Sequence, residues 1–139
     1  MAQAIREVMT EPIETCEPGS SIQDAARKMQ NGDFGAIVVA EDNELRGLLT
    51  DRDIVVRAVA EGRDPSDVKV EEICSKDLTS LSPDDTAEEA VKLMREHSVR
   101  RIPVVEEDKP VGIVSIGDLA VSRDEQSALA DISAASPNG

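Results

Sequence analysis

The sequence predicts an α+β (α/β) fold made of two β-α-β-β-α units packed with pseudo-twofold symmetry. Three observations carry this. Shifted by 65 positions without a gap, residues 5–56 match 70–121, with Glu7/Glu72, Pro18/Pro83, Ala25/Ala90, Met29/Met94, Ile37/Ile102, Val39/Val104, Glu41/Glu106, Gly47/Gly112, Asp53/Asp118 and Val56/Val121 identical. A repeat of this length is one supersecondary unit used twice. Within each copy, apolar residues change from helix spacing to strand spacing in the same order. The 139 residues are 40% hydrophobic with Phe34 the sole aromatic, so the core is aliphatic. A copy of about 60 residues buries only about 60% of its unfolded surface and is marginal alone. The two are therefore expected to fold as one unit.

Each copy reads as a helical turn, a strand, a helix, two strands and a helix. Ile13-Glu14-Thr15-Cys16 is a short strand. Ile22, Ala25, Ala26 and Met29 form one apolar helix face, matched by Ala87, Ala90, Val91 and Met94. Ser20 with Gln23 and Asp85 with Glu88 are the expected helix starts. Ala36–Ala40 and Leu45–Leu49 flank the polar turn Glu41-Asp42-Asn43-Glu44, which makes a hairpin. Ile102–Val105 and Val111–Val114 flank the matching turn Glu106 to Lys109, and Pro103 limits its strand to an edge or a strand start. Second helices are expected from Asp51 to about Glu61 and from Ile116 to about Arg123. The motifs then span 5–61 and 70–123, with a linker at 62–69 and a tail at 124–139. The tail is expected to hold a short helix, Ser127 to Ser133, and a frayed end from Ala134.

Net charge is −14. Binding a polyanion needs clustered Lys and Arg, so nucleic acid and anionic membrane are not expected partners. A small anion remains allowed, because a few cations and backbone N–H groups suffice. The N-terminus has no apolar signal core, and no run approaches the ~18 apolar residues of a membrane span. A cytoplasmic location is expected. Two cysteines there do not make a disulfide framework. His97, Cys16 and Cys74 lack the spacing of a ligand set, and Cys74 occupies the core slot of Met9, so no metal site is expected.

The segments Gly47-Leu48-Leu49-Thr50-Asp51-Arg52-Asp53 and Gly112-Ile113-Val114-Ser115-Ile116-Gly117-Asp118 each run from an apolar strand into a helix. Glycine permits close backbone approach. A hydroxyl and N–H groups at a helix start can hold a phosphate, and an Asp one turn later can accept from the two hydroxyls of a ribose, as an acid does in dinucleotide folds. Thr-x-x-Asp and Ser-x-x-Asp are equally capping boxes that start helices. Both readings can hold at once.

The β-α-β-β-α order, the tandem repeat, the strand Ile102-Pro103-Val104-Val105 and the Gly-apolar-apolar-Thr/Ser-x-x-Asp endings together resemble the cystathionine-β-synthase (CBS) domain. The resemblance covers Ile5 to about Arg123 and is similar to the small stand-alone CBS pairs of bacteria and archaea. It implies regulation by an adenine nucleotide or related ligand (AMP, ADP, ATP or S-adenosylmethionine) in the cleft between the copies, with no required cofactor, and a homodimer. By position, it implies Asp53 and Asp118 at ribose hydroxyls, Thr50 and Ser115 at ribose or phosphate, and Ile13, Thr15, Leu78 and Ser80 beside the base. Arg100 and Arg101 are candidate phosphate contacts, and Arg52 borders the first box.

Three departures from the pattern stand out. Gly35-Ala36 matches Arg100-Arg101, so two sites are electrostatically unequal. Val38 matches Pro103, and Arg52 matches Gly117. Only Phe34 is available to stack on a base. Arg52 and Arg57 alternatively balance Asp51, Asp53 and Glu61, and Arg100-Arg101 alternatively pair with Glu96 or Glu106. With one His and no nucleophile–base pair, the chain is not expected to be an enzyme. The competing expectation is a dimeric interaction or stress-response module without a nucleotide, holding a protein partner, since Ile54, Val55, Val56 and Val59 exceed one apolar face.

Overall fold

A computed structural model of the protein describes residues 3–11, 13–76 and 78–123. The expected helix and tail after residue 123 lie outside them. Along the chain run α1 (Ile5–Val8), β1 (Thr15–Cys16), α2 (Ile22–Gly32), β2 (Ala36–Glu41), β3 (Glu44–Thr50) and α3 (Asp51–Ile54), which passes into a π-helical segment, Val55–Val59. Then come α4 (Val70–Ile73), α5 (Ala87–His97), β4 (Arg101–Glu106), β5 (Lys109–Ser115) and α6 (Ile116–Arg123). The fold is α+β.

The contacts divide the chain into two units. The first spans Glu14–Leu78. The second joins the residues up to Ile13 to those from Thr79 onward. Spatial unit and sequence repeat are thus offset. Helix α1 opens the first repeat yet belongs to the second unit, and α4 opens the second repeat yet belongs to the first. The matched residues Ile5 and Val70 are both fully buried, and burying such a side chain is worth about 1.5–3 kcal/mol. The Ile5 N–H donates to Asp85 O at 2.8 Å, and the Val70 N–H donates to Ser20 O at 2.8 Å.

In the first unit the sheet order is β1-β2-β3, with β1 parallel and β3 antiparallel to β2. Ala36 lies opposite Thr50, and Thr15 lies beside Val38. Asp42 and Asn43 turn the hairpin with φ of 54° and 66°, the left-handed pair that a two-residue type I′ turn requires. Ile22, Ala25 and Met29 of α2 face a core with Ile37, Val39, Leu49, Val70 and Ile73. The second unit repeats this around β4 and β5. Glu107 and Asp108 turn its hairpin, and Ala87, Ala90 and Met94 of α5 pack with Ile5, Ile102, Val104 and Val114.

Several expectations shift. The caps of α2 and α5 are Ser21 and Thr86, one residue after the expected Ser20 and Asp85. The Asp24 N–H donates to Ser21 Oγ at 3.1 Å and the Glu89 N–H to Thr86 Oγ1 at 3.2 Å. Asp85 instead accepts from the Ser82 N–H at 2.8 Å. The strand at 13–16 shortens to Thr15–Cys16, and its match in the second unit reduces to one parallel bridge between Leu81 and Val104. Pro103 accounts for part of this loss. Its match Val38 donates its N–H to Glu14 O at 3.3 Å, and proline has no N–H to give Thr79. The helix expected from Asp51 to Glu61 is α-helical for four residues and then π-helical, with the Ala60 N–H on Val55 O at 2.8 Å. This stretch is crowded with β-branched Ile54, Val55, Val56 and Val59, which sit poorly in a tight α-turn. Gly62, at φ 73°, ends it.

Candidate ligand site

Each predicted box forms within its own unit, at the point where a hairpin's second strand enters a helix. The Asp53 N–H donates to Thr50 Oγ1 at 3.1 Å, and the Thr50 N–H donates to Asp53 Oδ2 at 3.0 Å. The second box repeats this: the Asp118 N–H to Ser115 Oγ at 3.1 Å and the Ser115 N–H to Asp118 Oδ2 at 2.9 Å. The capping reading therefore holds geometrically at both. It does not exhaust the carboxylates, because each ionised oxygen has two lone-pair sites.

What faces the remaining oxygen differs. In the first unit, Arg57 Nε lies 3.9 Å from Asp53 Oδ1, while Arg57 Nη1 donates to the Ile73 carbonyl at 3.1 Å. In the second unit, the Thr10 hydroxyl lies 3.4 and 3.3 Å from the two Asp118 oxygens. Asp53 thus has a cationic neighbour and Asp118 a neutral one.

The helix starts differ as well. At α3, the Asp51 N–H goes to Gly35 O at 2.9 Å and the Arg52 N–H to the carboxylate of Asp51 at 2.8 Å. With the Asp53 N–H in the box, the first-turn amides expected to meet a phosphate are already engaged. At α6, the Ile116 N–H goes to Arg100 O at 3.0 Å. Ile116 brings no carboxylate where the first unit has Asp51.

The remaining predicted residues divide between the units. Arg101 lies directly opposite Ser115 in the β4–β5 ladder, and Arg100 is exposed beside it. Two cationic side chains and the Ser115–Asp118 box therefore share one end of one hairpin. Ser80 and Ile13 belong to the same unit, Ser80 just before the Leu81 bridge to β4. The first unit holds Thr50, Asp53, Arg52, Thr15 and Leu78. Arg52 is exposed. The Thr15 carbonyl accepts from Lys28 Nζ at 2.7 Å. Thr15 and Thr50 sit on strands either side of β2, Thr15 beside Val38 and Thr50 opposite Ala36, so they are also offset by two residues along it. Phe34 packs on the core of the first unit and over Gly32.

Two residues near the carboxylates were not assigned to the site from sequence. Arg57 enters the sequence reading only as charge balance for Asp51, Asp53 and Glu61. Thr10 carried a signal, because its match in the repeat is Ser75, another hydroxyl. Both segments bridge to the matching position of a hairpin's second strand, Thr10 to Ile113 and Ser75 to Leu48.

An open depression of about 350 Å³ in the first unit is lined by Arg57, Glu71, Glu72, Cys74, Ser75 and Lys76, and it includes none of the residues assigned to a ligand from sequence. Cys16 and Cys74 are both buried in the core of this unit. Burial pushes the Cys16 thiol up to about 11 and the Cys74 thiol upward too, which disfavours the reactive thiolate at both. Among the described residues, no three His, Cys, Asp or Glu side chains cluster as metal ligands would, and no helix is long and apolar enough to cross a membrane.

The CBS domain family model matches residues 5–59 and 70–123. The chain is 42% identical over 120 residues to the CBS domain-containing protein YhcV of Bacillus subtilis, covering 86% of this chain and 85% of that protein. It is 34% identical to hypoxic response protein 1 of Mycobacterium tuberculosis, over 83% of this chain and 81% of the relative. The solved structure of hypoxic response protein I, which has two coordinated zinc ions, superposes with a TM-score of 0.76 at 32% identity, over 86% of this chain and 98% of that one. The CBS domain pair of protein MJ0100, in complex with 5′-methylthioadenosine and S-adenosyl-L-methionine, superposes with a TM-score of 0.82 over 91% of this chain and all of that one. At 20% identity that likeness speaks for the fold alone. With both repeats matched, the chain belongs to the CBS domain family and carries two CBS domains.

Proposed function

We propose that this CBS pair is a non-enzymatic regulatory module that binds an adenine nucleotide or related adenosyl ligand: AMP, ADP, ATP or S-adenosylmethionine. The observation that carries the reading is in the second unit, where the Ser115–Asp118 box and the Arg100-Arg101 pair share one end of the β4–β5 hairpin. A carboxylate with spare lone pairs suits the two hydroxyls of a ribose, and adjacent guanidinium groups suit a phosphate. Ser80 and Ile13 are proposed to border the base. The Thr50–Asp53 box, with Arg52, Thr15 and Leu78, is proposed as the second, weaker set. The ligand complexes of the MJ0100 pair lend this support at the level of the fold. Binding shifts the population of states that a partner reads, in the measure of its differential affinity for those states.

The test is a thermal-shift screen of nucleotide-stripped protein with the four ligands. A ligand at ~100 times its dissociation constant adds about 2.7 kcal/mol. A rise of several degrees, absent in Asp118→Ala, is expected. Unchanged melting with all four refutes the reading.

A second reading is an interaction module without a nucleotide. It is favoured by Val55, Val56 and Val59, which are 56%, 49% and 58% exposed on one short segment. Such a patch suits a homodimer or a protein partner in the cytoplasm. Light scattering at tens of micromolar is expected to give a dimer mass and Val59→Lys a monomer. A monomer in the unaltered protein overturns the homodimer.

A further inference from the structure

Arg57 makes two contacts that join separate parts of the first unit. Its Nη1 donates to the carbonyl of Ile73, the last residue of α4, at 3.1 Å. Its Nε faces Asp53 Oδ1 at 3.9 Å from one turn along the helix. An acid four residues before a base is the favourable order for such a pair, and a cation at a helix C-terminus meets the negative end of the helix dipole. The other oxygen of Asp53 is fixed by the Thr50 N–H. The carboxylate is therefore held from two sides, and one of those sides is anchored on α4. Arg57 also lines the 350 Å³ depression with Glu71, Glu72, Cys74, Ser75 and Lys76, the residues of α4 and its exit.

In the second unit the Asp118 carboxylate meets the exit of α1 through the neutral Thr10 hydroxyl, at 3.3–3.4 Å, instead of through a cation. The residue matching Arg57 is Ser122, which has no cation to offer. The π-helical widening at Val55–Val59 also occurs only in the first repeat among the described residues, while α6 is α-helical throughout. Irregular turns of this kind recur at functional sites. Helix α4 is where the second sequence repeat begins, so the contact ties the Thr50–Asp53 box to the segment that leads into that repeat.

We propose that Arg57 is a positioning residue that couples the Asp53 carboxylate to helix α4, so that the first box and the start of the second repeat move as one piece. An ordinary surface arginine leaves neither neighbour dependent on the other. The coupling does not require a nucleotide, so failure of a ligand titration and failure of this proposal are separable.

The test is amide hydrogen exchange on the ligand-free full chain. Two reporters are the Cys74 N–H, which closes α4 on Val70 O, and the Asp53 N–H, which caps α3 on Thr50 Oγ1. Arg57→Met keeps the apolar stem and removes both contacts. It is expected to speed exchange about tenfold at the Cys74 amide, which loses a charged hydrogen bond, and about twofold at the Asp53 amide, which loses an i,i+4 ion pair, with the Met9 and Asp118 amides of the other unit unchanged. Asp53→Asn is expected to speed the Cys74 amide in the unaltered background but to add nothing in Arg57→Met. Arg57→Gln keeps a donor for the Ile73 carbonyl without the charge, and is expected to speed Asp53 more than Cys74. This variant also serves should the methionine variant not fold. A Cys74 amide that ignores Asp53→Asn overturns the proposal, as does an Asp53 amide that ignores both Arg57 variants.

Discussion

Replacing Asp118 by alanine and by asparagine separates its two roles, helix cap and ligand carboxylate. In Asp118→Ala the half-buried Ser115 N–H loses an acceptor at 2.9 Å. The reciprocal bond, from the Asp118 N–H to Ser115 Oγ, uses the backbone and survives. The Thr10 contact at 3.3–3.4 Å is long and adds little. One lost cap bond costs about 1 kcal/mol, or about 4 °C in melting temperature for a chain of this size. Asp118→Asn keeps one side-chain oxygen for the Ser115 N–H and is expected to cost less than about 0.5 kcal/mol. Urea unfolding with an unchanged m-value measures both. Ligand binding should follow the opposite logic, because the asparagine that preserves the cap replaces a ribose acceptor by a donor and removes the charge. A loss of about tenfold or more in affinity is expected for both variants. If Asp118→Asn binds as the unaltered protein does, Asp118 is a cap and the ligand assignment is refuted. If Asp118→Ala leaves stability unchanged, the cap argument fails.

Three other predictions concern packing, capping and pH. A Cβ on Gly47 would lie 2.8 Å from Ser75 O and 2.9 Å from Cys74 Sγ, whereas one on Gly112 would meet the Met9 thioether at 2.6 Å and Thr10 O at 3.2 Å. A thioether swings aside and a backbone carbonyl does not, so Gly47→Ala is expected to cost about 2 kcal/mol or more and Gly112→Ala less, by urea midpoint. Ser21→Ala is expected to cost about 1 kcal/mol as a lost cap, with Ser20→Ala within about 0.5 kcal/mol; equal losses would contradict the observed cap. The Cys16 thiol, raised by burial from 9.0 to about 11, stays neutral in the folded chain while the unfolded chain ionises. Its contribution is full below about pH 9 and is lost as pH rises toward about 11. Cys16→Ala should therefore flatten the alkaline fall in stability, and an unchanged fall would exclude Cys16 as its source.

The repeat made most of this architecture legible. Matched positions such as Ile5/Val70, Gly47/Gly112 and Asp53/Asp118 have matched structural roles, and the two hairpins follow from short polar turns between apolar runs. Less was legible where two neighbouring residues compete for one role. Ser20 and Ser21 are both good caps, and only the backbone geometry selects Ser21. The loss of a named strand in the second unit was latent in Pro103, since the missing N–H matters only when Val38 is seen to use its own. The placement of α1 with the second unit and α4 with the first was not readable at all, because apolar spacing says that a helix is buried but not against what. The same limit hid Thr10 and half of Arg57. The Asp53 neighbour of Arg57 is four residues away and was open to the charge pattern, but Ile73 and, for Thr10, Asp118 are 16 and 108 residues away, and local pattern carries no information at that separation.

Isothermal titration of the nucleotide-stripped protein with AMP, ADP, ATP and S-adenosylmethionine, run in parallel on Asp118→Asn, tests the central claim most directly. Saturable heat with at least one of the four, lost in a variant that melts like the unaltered chain, is the predicted result. A folded protein that gives no heat with any of them would contradict the claim and leave the exposed valine face as the functional surface.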